Sequence, residues 1–572
     1  MVWRRISYRH REIVPEDIFI DDSGFNDFDR TRFEGRIERS LTNGTFLTVT
    51  IGVMSLLVLL GARAAYVQLV RGSSFASRSA NNSLEATEIF APRGIIVDRN
   101  GEVLAENVDR PNGSLGRNYP IPTLGQIMGY VSYPKQDSKG NFYKTNITGV
   151  AGLESKYNDW LSGVNGKVLI EQDVGGNVRS SGTIVPVKQG STLTLAMDAQ
   201  MQKDLAHAIA TTADRHGFIA GAGVVLDAET GEILAMVSHP SYDPNVISSG
   251  SPADVIARYN TSPGHPYIDH AVQGVYTPGS IVKPFLSAGA LTDGIITPST
   301  IINDPGQISL PDPYKPGKVY VFKGWKKLGL LTVDKAIAWS SDVFFYTVGG
   351  GFGAQKGLGI DRVDYWYRQF GFGTTTGVDV PEEAAGLIPT PEWKHRVLKE
   401  QWYLADTYFT SIGQYSMQVT PLQAARAAAA IANDGKLYVP TLRKPDVGAT
   451  QPFTTVPITP EALRVVKSGM RQSVTSALAH MLNVPYVTVA AKTGTAQTGS
   501  RNQYDNSWVV GFFPYEKPHY AFAIVLERGP SGAGEQAVNA MRTFLDYLHE
   551  HDSVYVGGTG RVAATTTAAV IN

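Results

Sequence analysis

The chain contains no cysteine. Disulfides and cysteine metal sites are therefore excluded, and the protein can work in an oxidising or exposed compartment without thiol side reactions. It also lacks an excess of either charge, with 51 Lys plus Arg against 52 Asp plus Glu. That balance offers no basic field for nucleic acid and no acidic solvating tail. The 11 histidines are scattered without H-E-x-x-H or comparable spacing, so they are read as structural or surface residues and no metal site is indicated. No organic cofactor is implied.

What is present suffices for two or three domains: 572 residues, 43% of them hydrophobic. Residues 1–44 are polar, mix both charges and read as a cytoplasmic tail, with Arg30, Arg32, Arg36 and Arg39 just ahead of the uncharged run FLTVTIGVMSLLVLLGA at 46–62. Extended a few residues each way, the run approaches the ~20 needed to cross a bilayer, and a transmembrane helix is expected over 45–63. Arginines on its N-terminal side place the N-terminus in the cytoplasm and the remaining ~500 residues outside. The rival, a signal peptide cleaved at Ala62-Arg63-Ala64, would need an n-region of about 44 residues, far beyond the usual form.

Near the middle of the chain, GVYTPGSIVK at 274–283 sets Ser280 three residues ahead of Lys283. On a helix that begins at or just before the serine, both side chains project from one face. A serine hydroxyl is a poor nucleophile at neutral pH, and a lysine can take its proton once burial or a second cation lowers the lysine pKa. Gly279 permits a tight turn, and a helix starting there aims N–H groups at an oxyanion formed beside Ser280. Alone, S-x-x-K also fits many solvated helix starts. Downstream, however, AWSSDVFFY at 338–346 supplies Ser340 and Asp342, and VAAKTGTAQ at 489–497 supplies Lys492, Thr493, Gly494 and Thr495. The ordered set S-x-x-K, S-x-[ND], K-T-G is the signature of penicillin-recognising acyltransferases.

On these motifs the chain resembles a class B penicillin-binding protein, a monofunctional D,D-transpeptidase of peptidoglycan synthesis, and most of all the elongation branch, penicillin-binding protein 2. PRGIIVDRNGEVLA at 92–105 is similar to the segment that opens the pedestal of that family, and GVAGLE at 149–154 and residues 163–176 resemble later pedestal segments. Asn100-Gly101 is expected to form the type I′ turn of a hairpin. The short interval between Asn107 and Tyr130, where many relatives insert a larger head lobe, implies a reduced pedestal.

The expected organisation is a pedestal at 64–190, a transpeptidase domain at 191–550 and a disordered Gly/Thr/Ala-rich tail at 551–572. The resemblance implies an α+β, penicillin-recognising fold: a five-stranded antiparallel sheet sandwiched by helices, with K-T-G on the strand beside the Ser280 helix. The residue pattern itself predicts a helix capped by Asp198 and running to about Ala213, a hairpin of 222–227 with 232–238, strands at 507–513 and 520–526, and a final helix over about 534–550. Glycines at 359–377 mimic a nucleotide loop but lack its strand–turn–helix context.

For mechanism, the resemblance implies that Ser280 attacks the carbonyl between two terminal D-alanines of a stem peptide, releasing D-alanine, while Lys283 takes the serine proton. The backbone N–H groups of Ser280 and Thr495 form the oxyanion hole. Lys492, Thr493 and Thr495 suit the substrate carboxylate, Gly494 keeps the strand edge clear for a substrate backbone, and Ser340 relays a proton to the leaving amine. Lys492 is expected to help keep Lys283 neutral by charge repulsion. Asp342 stands where many class B enzymes have Asn; an ionised Asp only accepts hydrogen bonds, so it is expected to pair with a lysine and orient it.

Implied partners are a SEDS-family glycosyltransferase, of the RodA type for elongation or the FtsW type for division, peptidoglycan or lipid-linked stem peptides, and β-lactams as inhibitors. Asp342 and Trp325-Lys-Lys327 look more like elongation. Competing readings are a β-lactamase, which would need an extra E-x-x-x-N loop that does not stand out between Ser340 and Lys492, a D,D-carboxypeptidase, and a scaffold or activator of the polymerase.

Overall fold

The computed structural model describes residues 43–558, apart from 82–83, 111–114, 139–141, 173–177, 313–314 and 500. Of the expected cytoplasmic tail, residues 1–42 lie outside the described residues, as does 559–572 of the C-terminal tail. The chain divides into two units, one of residues 1–84 with 171–180 and one of 85–170 with 181–572.

In the first unit, α1 (Asn43–Ala65) contains the apolar run and continues through a π-helical turn to Val70. The 28 residues Asn43–Val70 are long and apolar enough to cross a membrane, spanning about 42 Å against a hydrocarbon core of ~30 Å. None of the α1 side chains is buried, which fits a helix without a polar face.

The second unit opens with the pedestal strands β1 (Ile96–Val97), β2 (Val103–Asp109) and β3 (Leu115–Asn118), joined by β4 (Leu193–Thr194) in the order β4-β1-β2-β3. The β1–β2 turn is not the expected type I′, because Gly101 has φ 92° but Asn100 is not among the positive-φ residues. Asp98 is the reason: its Oδ1 accepts the N–H groups of Asn100 and Glu102 at 2.7 and 2.8 Å, an Asx-type clamp that leaves only the glycine left-handed.

The other pedestal motifs meet around one buried acid. Glu154 Oε2 accepts Arg93 Nε at 2.5 Å, and Glu154 Oε1 accepts Arg117 Nε at 2.7 Å and the Tyr119 hydroxyl at 3.2 Å. Among the described residues the two terminal nitrogens of Arg117 have no hydrogen-bond partner. Glu154→Ala therefore strands buried guanidinium charge and is expected to cost about 3–5 kcal/mol, read as a lowered urea midpoint with little change in slope.

The transpeptidase part begins with α2 (Ala199–His216), capped as expected by Asp198, whose Oδ1 accepts the N–H groups of Gln200 and Met201. The hairpin β5 (Ala220–Asp227) and β6 (Ile233–His239) follows. The Ser280 segment starts as a 3₁₀ turn, Gly279–Val282, and passes into α3 (Lys283–Thr292). Further along come α4 (Val333–Ala338), α5 (Asp342–Gly350) and α6 (Pro421–Ala432), the last opened by a reciprocal Thr420–Gln423 capping box. Next are α7 (Pro460–Ser476), β7 (Ala490–Thr498), β8 (Tyr504–Phe513), β9 (Tyr520–Pro530) and α8 (Gln536–His551).

The central sheet is five-stranded and antiparallel, in the order β6-β5-β9-β8-β7. Strand alternation divides its apolar side chains between two cores. Ala222, Val224 and Leu226 join a cluster with the Ser280 segment and α6, while Val225 joins one with α2 and α8. Helices thus cover both faces, which is why the strands read as nearly unbroken apolar runs.

The domain extends past the expected boundary at 550. Residues Ser553–Val556 form a 3₁₀ turn, Tyr555 and Val556 are buried in the α2/α8 core, and the Tyr555 hydroxyl donates to Asp198 Oδ2 at 2.8 Å. The composition of 551–572 as a whole hides these two apolar anchors.

Candidate active site

Ser280 sits half-buried at the floor of a cleft of about 1220 Å³ whose walls include Ser340, Asp342, Thr493, Gly494 and Thr495. The 3₁₀ turn aligns positions three apart more closely than an α-helix would, which places Lys283 behind Ser280 and under the surface. The turn is pinned from three sides. Gly279 N–H donates to Gly413 O at 2.8 Å, Tyr276 and Val419 exchange two backbone bonds at 2.9 Å, and the Trp508 indole donates to Thr277 O at 3.1 Å. Gly413 is obligatory there: at φ 71° a Cβ would lie 2.2 Å from Gly279 O.

Gly494 has a different structural task from the one expected. A Cβ at this position would come within 2.8 Å of Ile281 Cγ2 and 2.9 Å of Pro278 O. The missing side chain is what lets β7 lie directly against the nucleophile's turn. The space it leaves is filled by that turn.

Lys283 is fully buried. Its Nζ donates to Asp342 Oδ1 at 2.6 Å, Ser340 O at 2.8 Å and Ser340 Oγ at 3.2 Å. From the other side Lys492, also fully buried, donates to Ser340 Oγ at 2.9 Å and Thr493 O at 2.6 Å. The Ser340 hydroxyl therefore bridges two lysines. Its backbone takes φ 55°, the left-handed region, in the turn between α4 and α5. Ser341 secures that turn by accepting Phe344 N–H at 3.0 Å and donating to Asp304 Oδ2 at 2.5 Å. Left-handed backbone at a non-glycine residue costs about 1–3 kcal/mol and persists where its surroundings dictate it.

The structure brings all eight sequence-predicted residues to one place, yet it does not join Lys283 to Ser280. Among the described residues the Ser280 hydroxyl has no hydrogen-bond partner. Catalytic bonds are often long in a free enzyme and tighten when substrate arrives.

Burial pushes the Lys283 pKa down, while the adjacent Asp342 carboxylate opposes that shift. For Lys492, burial first and the Lys283 charge second bring the pKa down to about 7. Charge repulsion was expected to keep Lys283 neutral; desolvation is the larger cause, and the repulsion falls on Lys492.

Sequence reasoning missed Gly413, Asp304 and Glu535. Glu535 lines the same cleft just ahead of α8, where an acid after a glycine-rich stretch reads as an ordinary helix start.

Residues 221–546 match the family described as penicillin binding protein transpeptidase domain, and residues 111–195 match the penicillin-binding protein dimerisation domain. The chain is 31% identical over 605 residues to a peptidoglycan D,D-transpeptidase MrdA of Acinetobacter baumannii, covering 88% of this chain and 87% of the relative. It is similar to a solved structure described as structural coordination of polymerization and crosslinking by a peptidoglycan synthase complex, with 28% identity, TM-score 0.69, and coverage of 91% of this chain and 100% of that one. It is also similar to the penicillin-binding protein PBP2 of Helicobacter pylori solved in complex with MreC, with 25% identity, TM-score 0.67, and coverage of 82% and 99%.

Proposed function

The chain belongs to the family of penicillin-binding protein transpeptidases, and we propose that it cross-links stem peptides of peptidoglycan through an acyl-enzyme on Ser280. The enzyme is a peptidoglycan D,D-transpeptidase of the penicillin-binding protein 2 type, open to β-lactams that acylate the same serine.

The observation that carries the proposal is the chain Asp342–Lys283–Ser340–Lys492, hydrogen-bonded end to end beside Ser280. Ser280 Oγ attacks the carbonyl between the terminal D-alanines as Lys283 takes its proton. The oxyanion is held by the N–H groups of Ser280 and Thr495, a pairing favoured by the close approach of Gly279 to Thr495 O, where an added Cβ would stand at 2.9 Å. Ser340 passes a proton to the departing amine, D-alanine leaves, and an amine of a second stem peptide takes its place. Lys492, Thr493 and Thr495 hold the substrate carboxylate with a cation and two hydroxyls. Asp342 holds Lys283 in line by its 2.6 Å ion pair.

Residues 64–190 serve as the pedestal and 191–556 as the transpeptidase domain. The arginines ahead of α1 favour a single-pass anchor with a cytoplasmic N-terminus and the catalytic domain outside. The likeness to the solved complex of polymerization and crosslinking supports a polymerase partner, and Asp342 and the 325–327 segment favour the elongation role and with it a SEDS-family glycosyltransferase of the RodA type.

The test is a fluorescent penicillin added to the full chain in detergent, followed by the decay of the label and by formation of cross-linked product from lipid-linked stem peptides. A slowly decaying adduct with cross-linked product is expected. Rapid loss of the label with hydrolysed penicillin would make the protein a hydrolase instead.

A further inference from the structure

Trp508 is fully buried in β8 and paired across the sheet with Gly494 of the K-T-G strand. Cross-strand partners present their side-chain positions on one face of a sheet, and this face is turned toward the nucleophile. At Gly494 the position is empty, and Ile281 and Pro278 of the Ser280 segment take up the room. At Trp508 it carries an indole whose Nε1 donates to Thr277 O at 3.1 Å, three residues ahead of Ser280. Tryptophan joins a broad apolar ring to a single N–H donor, so it can pack in this core and still reach a backbone carbonyl.

The indole is itself braced. The buried Tyr276 ring packs edge-on against it, with centroids 6.1 Å apart and planes at 76°. The Tyr276 hydroxyl lies 2.6 Å from Nδ1 of the buried His270, and His270 Nε2 lies 2.9 Å from Gly264 O. A carbonyl only accepts, so Nε2 carries the ring proton and Nδ1 accepts from the tyrosine. Tyr276 is thus held at its hydroxyl by His270 and at its backbone by Val419, and its ring has little freedom to retreat from Trp508.

The oxyanion hole takes its two N–H donors from separate pieces of chain, Ser280 from the turn and Thr495 from β7, the edge strand of the sheet. Both donors must come within about 3 Å of one oxygen, so the gap between the pieces has to be fixed. Backbone contact at Gly279 and Gly494 limits how closely they approach, since an added Cβ would already meet the opposite piece at 2.9 and 2.8 Å. Contact of that kind resists closing but not opening. The bonds of the turn to Gly413 and Val419 run to a loop outside the sheet, whereas the Trp508 bond crosses from turn to sheet alongside the gap. We propose that Trp508 is a positioning residue of the oxyanion hole: by holding Thr277 O it keeps the turn against the sheet and sets the separation of the Ser280 and Thr495 N–H groups. This rests on the acyl-enzyme reading and adds to it the side chain that tunes its electrostatic half.

The full chain in detergent is given two matched donors, an N-acyl-D-alanyl-D-lactate ester and the thionoester with C=S at the scissile carbon, and release of D-lactate is followed. Sulfur accepts hydrogen bonds weakly, so the hole serves the ester far more than the thionoester. Trp508→Phe keeps an aromatic ring and removes the N–H. The limiting rate of acylation by the ester is expected to fall roughly ten- to a hundredfold, as for a donor displaced but still present, while the half-saturating concentration and the thionoester rate change little. Trp508 replaced by 3-benzothienylalanine, which matches the indole in shape but has no N–H, separates the bond from the packing and is expected to show the same pattern. Ester and thionoester slowed equally in this second chain, or neither slowed, overturns the role of Trp508 while Ser280 chemistry stands. A native enzyme without preference for the ester overturns the oxyanion hole and its positioning residue together, and turnover that survives Ser280→Ala overturns the acyl-enzyme reading on which both rest.

Discussion

Ser280→Ala is expected to abolish the penicillin adduct and to lower cross-linking by roughly 10⁴–10⁶-fold, the range seen when a serine nucleophile is removed from a preorganised site. Gel fluorescence of the labelled full chain and chromatography of cross-linked product measure the two effects. The substitution should leave the fold intact, because the Ser280 hydroxyl makes no hydrogen bond among the described residues and the turn is held by the backbone of Gly279 and Tyr276. An unchanged thermal melt with no label is therefore the expected pair of results. A folded Ser280→Ala protein that still labels would mean that another group carries the acyl transfer.

Lys283→Met is expected to cost roughly 10²–10⁴-fold in the rate of acylation by penicillin, the usual contribution of a positioned general base. Methionine matches the length of the lysine stem, so the loss reports the ammonium group more than the packing. The pH dependence separates this from a structural effect. Lys283 must be neutral to accept a proton, and burial lowers its pKa, so acylation by the native enzyme rises with pH as Lys283 deprotonates below the ordinary lysine range. Asp342 favours the charged lysine. In Asp342→Asn the acid limb should therefore move to lower pH, while the plateau falls because the 2.6 Å ion pair no longer orients the amine. In Lys283→Met the limb should vanish. An Asp342→Asn enzyme with unchanged rate and profile would remove Asp342 from the mechanism.

The core of the site was legible in the sequence because its chemistry restricts both residue type and spacing. Ser280 and Lys283 must share a helical face, and Lys492-Thr-Gly494 must combine a cation, a hydroxyl and a residue without a side chain. Residues that act through the fold left no such mark. Gly413 is one glycine among 58, and only the 2.2 Å clash with Gly279 O reveals its purpose. Arg93, Arg117 and Glu154 lie in separate segments and meet only once the pedestal folds. The Asn100-Gly101 turn went astray for a local reason, since propensity favoured type I′ while the Asp98 carboxylate captured two N–H groups first. At the C-terminus, bulk composition outweighed Tyr555 and Val556, although two apolar side chains in a deep core are enough to anchor a turn.

The order of strands in the central sheet bears on how the enzyme comes to be active. Gly221 in β5 pairs with Leu526 in β9, about 300 residues away along the chain, and β9 is also the neighbour that holds β8 and, through it, the K-T-G strand. The hairpin β5–β6 and the pair β7–β8 have no strand in common except β9. Closing so long a loop is entropically costly and slow. A chain released as far as residue 519 already holds Ser280, Lys283, Ser340 and K-T-G, yet nothing joins the halves of its sheet. Reactivity is in this way deferred until β9 has been made, and a stop codon ahead of residue 520 silences a nucleophile completed near the middle of the chain.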